Sequence, residues 1–583
     1  MNASSKKYLR LRIVIVSAFL FLFLLTIGAR SVYLQIMRRE WLASQASSQV
    51  VREQVRVGKR GAILDRKGHE MAVSVEATSV AAYPLQISDA TAAAPSLADA
   101  LTLDAESLYR KISTARTFVW VKRQVTPREL DAVKRLNIKG VDFITEYKRV
   151  YPNKTLAAQL LGFTGIDGHG LEGLEFHYDR VLIGSRRERL VHKDALGRSI
   201  ARAGTADAAG MRAEAAGGSI MLTIDHTIQY ITETALEQAV AEFNAASGVA
   251  IVMDPETGAV LATACVPLFN PNVFGRYPEA TWRNRAVTDS FEPGSTMKIF
   301  TAAAALSSGC CSPSTIFFCE NGSYRIGGNT IHDTHPRGWL SLQQIIKYSS
   351  NIGVTKVIET VGAETLHSVI RRFGFGDQTG IDCPAETAGM VAPPSRWTRI
   401  DTGAISFGQG IAVSPVQLAA ATAAIANGGR LMRPYVVDAL IDSRGQVVER
   451  ARPRLIQQAV PPETAETVKR ILKTVITEGG TGVSAALEGY SVAGKTGTAQ
   501  KIDPDGTYAD GRFVASFVGF APADDPAVVV LVIVDEPRAA HYGGTVAAPA
   551  FRRIVHDTLI YLDIPPDQRK TDLRVSLEKG VRG

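Results

Sequence analysis

The chain has 583 residues, of which 46% are hydrophobic and 21% are charged. This composition is typical of a folded globular protein, and the length predicts about three or four domain-sized units. The net charge of +8 is modest for this length and is not concentrated in one patch, which argues against a nucleic-acid-binding protein.

An apolar run from Ile13 to Ala29 predicts a single transmembrane helix. The predicted span covers residues 13–34 if Arg30 extends to the membrane interface. By the positive-inside rule, the basic residues before the run keep residues 1–12 in the cytoplasm and export the rest of the chain. These basic residues are Lys6, Lys7, Arg10 and Arg12. A cleavable signal peptide is the alternative, but the run is long for one and no small-residue cleavage site precedes Arg30.

Residues 35–218 are expected to form a second, β-rich domain, which begins with a polar continuation of the helix to residue 55. Short strand-like runs alternate there with helical ones, and no coherent set of acid, base and nucleophile is present. We expect four of its polar residues to form a structural ion-pair network that joins this domain to the next. These residues are Arg60, Asp65, Arg66 and Glu172.

Residues 219–563 are expected to form a third domain. A hairpin is predicted from Val249 to Ala264, and two further strands are predicted at residues 515–520 and 527–535. Strands at both ends with helices between them predict a mixed α/β (α+β) fold, in which helices cover an antiparallel sheet. The polar residues 564–583 are expected to be disordered.

The string Ser295-Thr296-Met297-Lys298 predicts a nucleophile beside its base. A serine hydroxyl is a poor nucleophile until a base takes its proton, and a lysine three residues later on a helix lies on the same face. A turn signal, Phe291–Gly294, precedes the string and an apolar run, Ile299–Leu306, follows it. The sequence therefore predicts Ser295 in the first turn of a buried helix, at the positive end of its dipole.

This spacing is a weak signal by itself. It also occurs at Ser4 with Lys7 and at Ser576 with Lys579. Serine is a preferred N-cap, so a simple helix cap at Ser295 is the competing interpretation.

Two further strings favour the catalytic interpretation because they follow in a fixed order. Ser349-Ser350-Asn351 lies between two helical stretches and predicts a polar turn, for which a plain cap is the alternative. Lys495-Thr496-Gly497-Thr498 predicts an edge strand whose small residues let a peptide backbone pair with it, rather than an ordinary glycine turn. Together the three strings predict a serine acyl-transfer site.

The three strings resemble the Ser-x-x-Lys, Ser-Asp-Asn and Lys-Thr-Gly motifs of penicillin-binding proteins and class A β-lactamases, with Ser350 in place of the aspartate. Strings around them are similar to the transpeptidase domain of class B penicillin-binding proteins: Phe269–Asn272, Asn284–Val287, Ser406–Gly410, Gln417, Ala426–Gly429 and Tyr542–Gly544. Arg60–Arg66, which includes Gly61, and Gly170–Glu175 resemble the non-catalytic pedestal of that class. Phe269–Asn272 and residues 332–335 further resemble its division-specific, FtsI-type branch.

The resemblance implies a septal peptidoglycan D,D-transpeptidase in the inner membrane, with a periplasmic catalytic domain. Ser295 would attack the stem peptide between its terminal D-alanines, and Lys298, kept neutral by burial and by the charge of Lys495, would take the proton. Ser349 would pass this proton to the leaving D-alanine, and Asn351 would hold the peptide amide. Thr496 and Thr498 would bind the terminal carboxylate with help from Lys495, and Gly497 would be a further substrate-binding residue. The oxyanion hole would consist of the backbone N–H groups of Ser295 and Thr498.

No metal or organic cofactor is required. The implied partners are peptidoglycan stem peptides, β-lactams, a SEDS-type glycosyltransferase and other membrane proteins of the division machinery. One alternative is a D,D-carboxypeptidase or β-lactamase of the same fold, which would activate a water but has no evident use for a pedestal and an anchor. Another is a non-catalytic β-lactam sensor or division scaffold, which the intact Ser295, Lys298 and Lys495 argue against.

The cysteines and histidines leave two smaller questions. Five cysteines are an odd number, so at least one is free or pairs outside the chain, and Cys310 or Cys311 could either close a loop with Cys319 or stay reduced. His332 and His335 could suggest a metal site, but no third ligand has suitable spacing. We therefore expect an ordinary polar loop and no metal site.

Overall fold

The computed structural model describes residues 3–42, 51–115, 117–184, 186–192, 216–502 and 508–568. The chain divides into two compact units. The first comprises Met1–Gly58 and Ser185–Ala215, and the second comprises Lys59–Gly184 and Ala216–Gly583.

The first unit contains the apolar helix. Ala3–Val32 is α-helical and continues as a π-helical turn over Tyr33–Met37. Within the described part of the chain, Lys7–Met37 is the one helix long and apolar enough to cross a membrane, and it includes the predicted span at residues 13–34.

The same unit contains a two-stranded antiparallel ribbon. Val51–Val57 pairs with Arg186–His192. The predicted polar helix to residue 55 is therefore wrong from Val51 onward, where valines recur among polar residues and backbone groups pair with a strand far along the chain.

A seven-stranded sheet dominates the early part of the second unit. Its strands, in spatial order, are Val447–Arg450, Val437–Ile441, Ser219–Leu222, Ile63–Leu64, Glu70–Ala82 and Val119–Val125, with Val141–Val150 also paired to Glu70–Ala82. Ile63–Leu64 runs parallel to Ser219–Leu222, so the sheet crosses the predicted domain boundary between residues 218 and 219. A side chain at Gly61 would come within 1.7 Å of the Gly218 carbonyl oxygen, so only glycine allows this close approach of the two backbones.

Three helices pack on the Glu70–Ala82 and Val119–Val125 strands of this sheet: Ala90–Leu101, Ala105–Thr114 and Pro127–Leu136. The short helices Ala158–Leu161, Gly173–His177 and Asp179–Leu182 follow in the chain and contribute to the larger core. The three longest begin at side-chain caps provided by Asp89, Asp104 and Thr126.

A buried ion-pair network stabilises the pedestal, but it differs from the predicted one. Arg60 Nε and Arg149 Nε each lie 2.6 Å from an oxygen of Glu175, whose side chain is 0% exposed. Arg60 also contacts Asp179 at 2.5 Å.

The other residues predicted for this network have different positions. Glu172 and Arg66 are exposed, and the carboxylate at the centre of the network is Glu175, which the sequence did not predict. Asp65 is buried and accepts hydrogen bonds from the backbone N–H groups of Lys67 and His69. It also accepts one at 3.4 Å from the His226 N–H, which lies beyond the predicted domain boundary.

The later part of the second unit contains the predicted antiparallel sheet, with five strands. Their spatial order is Ala493–Ile502, Tyr508–Ala521, Val528–Asp535, Ser247–Met253 and Val260–Val266. The last two strands form the predicted hairpin. Every residue from Val528 to Val534 is buried, as the almost unbroken aliphatic sequence predicts.

Helices lie around this sheet: His226–Glu242, Arg285–Thr288, Lys298–Ser307, Leu342–Tyr348, Asn351–Val361, Ala363–Arg372, Arg399–Ser406, Pro415–Ala426, Pro462–Val475, Gly543–Val546 and Ala548–Tyr561. Short strands complete the unit: Ile316–Phe318, Ser323–Ile326, Asn329–His332, Trp339–Ser341, Arg430–Met432 and Leu455–Gln458. Pro415–Ala426 is buried at every position, and Lys298–Ser307 is buried from Lys298 to Ala305. These two alanine-rich helices form the core on which the site is built.

Residues 564–568 differ from the predicted disorder. The Ile564 carbonyl accepts a hydrogen bond from the Tyr490 hydroxyl at 2.8 Å, and Asp567 accepts one from the Ser491 backbone N–H at 2.7 Å. This segment therefore packs against the residues that lead into the Ala493–Ile502 strand. Residues 569–583 lie outside the described residues.

All five cysteines are free, and four of them are buried. Cys310 Sγ lies 4.0 Å from Cys311 Sγ. Of the two sequence alternatives, the structure therefore has the reduced cluster.

Replacing Glu175 with glutamine tests the pedestal network. Glu175→Gln removes the charge that compensates two buried guanidinium groups, so we expect the free energy of unfolding to fall by about 3–5 kcal/mol. Thermal and urea unfolding of the full chain in detergent measure this change.

Glu172→Gln is the matched control, because it makes the same chemical change at an exposed carboxylate directly before the short helix that contains Glu175. Surface substitutions of this kind change stability by at most about 0.5 kcal/mol. Equal effects of the two variants would contradict the assignment of Glu175.

Candidate active site

The nucleophile turn, Gly294–Met297, is a short 3-10 helix that leads directly into the Lys298–Ser307 helix. Gly294 has a φ of +54°, and a side chain there would come within 2.9 Å of the Thr498 carbonyl oxygen. The turn therefore needs glycine both for its left-handed backbone and for its contact with the Ala493–Ile502 strand. Ser295 lies at the start of a buried helix, as the sequence predicts.

Lys298 links the first two motifs. Its Nζ lies 3.1 Å from Ser295 Oγ, 2.7 Å from the Ser349 carbonyl oxygen and 3.1 Å from Ser349 Oγ. It also lies 2.7 Å from Asn351 Oδ1. The side chain is therefore fixed by both motifs, with its amine within reach of the serine proton.

The Ser349-Ser350-Asn351 turn joins Leu342–Tyr348 to Asn351–Val361, as predicted. Ser349 has a left-handed backbone with a φ of +61°, which terminates the first helix and turns its side chain toward the two lysines. Ser350 is the N-cap of the second helix and accepts a hydrogen bond from Gly353 N–H at 2.8 Å. In this one turn, Ser350 therefore caps a helix while Ser349 contacts the two lysines of the site.

The third motif lies on the edge strand of the five-stranded sheet, as predicted. Lys495 Nζ lies 3.1 Å from Ser349 Oγ and 3.2 Å from Thr496 Oγ1. A side chain at Gly497 would come within 2.2 Å of Ser516 Oγ and 3.0 Å of the Pro293 carbonyl oxygen, so glycine allows the strand to pack against the nucleophile turn.

Two threonines on this strand have further contacts. Thr496 Oγ1 donates to Thr481 Oγ1 at 3.0 Å. Thr498 Oγ1 accepts a hydrogen bond from Gly543 N–H at 3.2 Å. The second contact connects the strand to the Tyr542–Gly544 string.

The two lysines share one enclosed site, and the side chains of both are 0% exposed. Burial lowers the pKa of Lys298 to about 7, and the negative charge of Asp333 opposes this shift. Burial also lowers the pKa of Lys495 well below its ordinary value, and the positive charge of Lys298 lowers it further. Charging both amines at once is therefore unfavourable.

In the sequence prediction, Lys495 carries the charge that keeps Lys298 neutral. In the unliganded site, burial is the first cause of the lowered pKa of both lysines, and the charge of Asp333 partly offsets it at Lys298.

Asp333 is a site residue that the sequence analysis missed. Its Oδ1 accepts hydrogen bonds from Asn351 N–H at 2.5 Å and Ile352 N–H at 3.1 Å. Its Oδ2 accepts the Ser350 hydroxyl at 2.5 Å. In the sequence, Asp333 lies between two histidines, a pattern that suggests a metal site and not a contact with the catalytic residues. No local sequence spacing connects Asp333 to Asn351.

Asn351 has a partner at each end of its side-chain amide. Its Oδ1 faces Lys298, and its Nδ2 donates to the His332 carbonyl oxygen at 3.2 Å. The amide oxygen can accept a second hydrogen bond and the amide nitrogen can donate a second one, so a peptide amide can bind Asn351 while both partners stay in place.

The structure brings six of the predicted residues into one continuous set of polar contacts: Ser295, Lys298, Ser349, Asn351, Lys495 and Thr496. Gly497 and Thr498 lie beside them through the backbone contacts described above. Across the described residues, no group of three His, Cys, Asp or Glu side chains is arranged to hold a metal ion.

Two family models match the chain. The model described as the penicillin binding protein transpeptidase domain matches residues 248–556. The model described as the penicillin-binding protein dimerisation domain matches residues 55–211.

Curated relatives match over nearly their whole length. The probable peptidoglycan D,D-transpeptidase PbpC of Pseudomonas aeruginosa is 35% identical and covers 97% of each chain. The peptidoglycan D,D-transpeptidase FtsI of Escherichia coli is 34% identical over 93% of this chain and 90% of its own. Stage V sporulation protein D of Bacillus subtilis is 34% identical over 97% of this chain and 88% of its own.

Solved structures show the same architecture. Penicillin binding protein 3 of Mycobacterium tuberculosis, in its apo form, has a TM-score of 0.68 and 29% identity over 88% of this chain and 98% of its own. The structure of the same protein in complex with aztreonam has a TM-score of 0.68 and 30% identity over 88% of this chain and 98% of its own. These matches confirm the resemblance that the motifs indicate, and the chain belongs to the family of penicillin-binding proteins that carry a dimerisation domain before the transpeptidase domain.

Proposed function

We infer that this protein is a serine-type peptidoglycan D,D-transpeptidase, which cross-links stem peptides and is acylated by β-lactams. The observation that carries this conclusion is the set of contacts that runs from Ser295 through Lys298 and Ser349 to Lys495. The names of the relatives, and the aztreonam bound to a similar protein, support the same activity.

In the acylation step, neutral Lys298 takes the proton of Ser295 while Oγ bonds to the carbonyl carbon between the two terminal D-alanines. The C–N bond then breaks, and the departing amine receives the proton through Ser349, whose Oγ lies 3.1 Å from Lys298 Nζ. The products are an ester on Ser295 and free D-alanine.

Substrate binding assists this step through the coupled lysines. A terminal carboxylate beside Lys495, Thr496 and Thr498 favours a proton on Lys495. A charged Lys495 in turn disfavours a proton on Lys298, because both amines lie within 3.1 Å of Ser349 Oγ in a buried site. The base is thus neutral when the substrate is in place.

The backbone N–H groups of Ser295 and Thr498 form the proposed oxyanion hole. The contact between Gly294 and the Thr498 carbonyl supports this assignment, since it brings the two backbone segments together. One such donor typically lowers the barrier by ~2.7–4 kcal/mol. No part of this mechanism requires a metal or an organic cofactor.

The acyl-enzyme is resolved by the side-chain amine of a second stem peptide. The amine bonds to the ester carbon, Ser295 Oγ leaves, and a proton passes from the amine to Ser295. A D,D-carboxypeptidase or β-lactamase would use water at this stage instead, and the two outcomes differ only in the nucleophile.

We place the protein in the inner membrane with its N-terminus in the cytoplasm and its catalytic domain in the periplasm. The apolar helix and the four basic residues before residue 13 support this orientation. We further propose a septal role with a SEDS-type glycosyltransferase and other division proteins as partners, which the FtsI-type relatives favour.

Ser295→Ala tests the nucleophile. We expect covalent labelling by a fluorescent penicillin to disappear, because no ester can form, while thermal unfolding is unchanged. Ser307→Ala is the matched control, since Ser307 lies at the end of the same helix and contacts only its own Ala304 carbonyl oxygen in the described structure. Persistent labelling of Ser295→Ala would overturn the assignment.

An exchange assay separates transfer from hydrolysis. The purified full chain receives a donor thioester that mimics the stem-peptide terminus, together with a D-amino acid. Mass spectrometry should detect the exchanged product, because the acyl-enzyme reacts with an amine. Hydrolysis products alone, at a saturating amine concentration, would favour the carboxypeptidase interpretation.

A further inference from the structure

Asp333 connects an element outside the three motifs to the acylation site. It follows the Asn329–His332 strand, which pairs with Ser323–Ile326 in a small hairpin. The preceding residue is also engaged, because the His332 carbonyl accepts a hydrogen bond from Asn351 Nδ2. The hairpin therefore presents both a carboxylate and a carbonyl to the Ser349-Ser350-Asn351 turn.

The Asp333 carboxylate accepts three hydrogen bonds from this turn. Two consecutive backbone N–H groups, of Asn351 and Ile352, point at Oδ1, and the Ser350 hydroxyl points at Oδ2. These donors lie at the N-terminus of the Asn351–Val361 helix, where a negative charge is favoured. The turn is thus fixed from both sides, by Asp333 and by Lys298.

Ser350 occupies the position where the related Ser-Asp-Asn motif has aspartate. The carboxylate missing from that position is present in space, supplied by Asp333 at 2.5 Å from Ser350 Oγ. We propose that Asp333 is a positioning residue for acylation, which holds Ser349 and Asn351 in place and directs its negative charge at Lys298.

Other charged and titratable groups surround Asp333 and Lys298. Lys298 faces Lys495, and the buried thiol of Cys319 lies beside Ser350 and Asp333. Glu320 and Lys356 pair with each other at 3.0 Å near the same turn. His332 and His335 are exposed on the Asp333 loop.

The proposal rests on the proposed function, because it is measured through acylation of Ser295. Lys298 acts as a base only when neutral, so the acylation rate rises as the pH increases through its pKa and reaches a plateau above it. The charge of Asp333 raises the pKa of Lys298, so its removal should allow acylation at lower pH. Loss of the turn contacts should independently lower the plateau.

The experiment measures the second-order rate of acylation by a chromogenic β-lactam from pH 5 to 9 with the full chain in detergent. For Asp333→Asn we expect the plateau to fall about 10- to 100-fold, the factor expected for the loss of one hydrogen bond to a charged group. We also expect the acid limb, the part of the profile in which the acylation rate rises with pH, to move to lower pH. A merely structural role would lower the plateau without moving the acid limb.

A charge exchange provides the rescue. In Asp333→Ser with Ser350→Asp, the carboxylate moves to the other side of the 2.5 Å hydrogen bond that joins the two side chains, and aspartate is as good an N-cap as serine. We expect this double variant to acylate faster than Asp333→Ser alone, with an acid limb close to that of the wild type. It also keeps the proposal testable if Asp333→Asn folds poorly.

Glu320→Gln is the matched control, because it removes one negative charge from the neighbouring turn without touching Ser350 or Asn351. Its profile should match the wild type. Histidines in general titrate near neutral pH, so the profiles are repeated with His332 and His335 replaced by glutamine, and the acid limb should persist.

The possible failures are distinguishable. If the wild type is not acylated, the proposed function itself fails. If the wild type is acylated but Asp333→Asn keeps its acid limb, whether or not its plateau falls, or if the exchange gives no recovery over Asp333→Ser, the role of Asp333 is wrong.

Discussion

The burial of two amines around one serine hydroxyl is the constraint on which the site depends. Lys298 and Lys495 each lie 3.1 Å from Ser349 Oγ, and both side chains are fully buried. Two ammonium groups cannot share such a space without a large electrostatic cost, so at least one amine is neutral in the unliganded state. A neutral lysine can take the proton of Ser295. Burial disfavours two charged amines and so provides the neutral base that makes Ser295 reactive.

The fold maintains this arrangement by placing each motif on a rigid element. Lys298 begins a helix buried in the core, Ser349 ends another, and Lys495 lies on the edge strand of the five-stranded sheet. Close backbone contacts at Gly294 and Gly497 hold the strand against the nucleophile turn, and the Ile564–Gln568 segment packs where that strand begins. Asp333 adds a restraint from a hairpin that contains none of the motifs.

Turn residues and apolar patterns in the sequence predicted the elements whose structure depends on neighbouring residues in the chain. The hairpin around Asp254–Gly258, the buried helix after Ser295 and the turn at Ser349 all follow from turn residues and apolar patterns. The failures concern contacts between distant residues: Val51–Val57 is a strand because Arg186–His192 pairs with it, and Asp333 reaches Asn351 through the hairpin. Glu172 and Glu175 are both acidic and close in sequence, and only the packing of the short Gly173–His177 helix decides that Glu175 faces Arg60 and Arg149.

The most direct test of this account is a titration of the lysine side chains by NMR. The full chain, labelled with 13C at lysine Cε, is titrated in detergent micelles, and Lys298→Met and Lys495→Met variants assign the two resonances. The account predicts that both lysines titrate well below the ordinary lysine value of about 10.4, and that removal of either raises the pKa of the other. Titration of both side chains near the ordinary value would contradict it, because two fully charged amines could then coexist around Ser349.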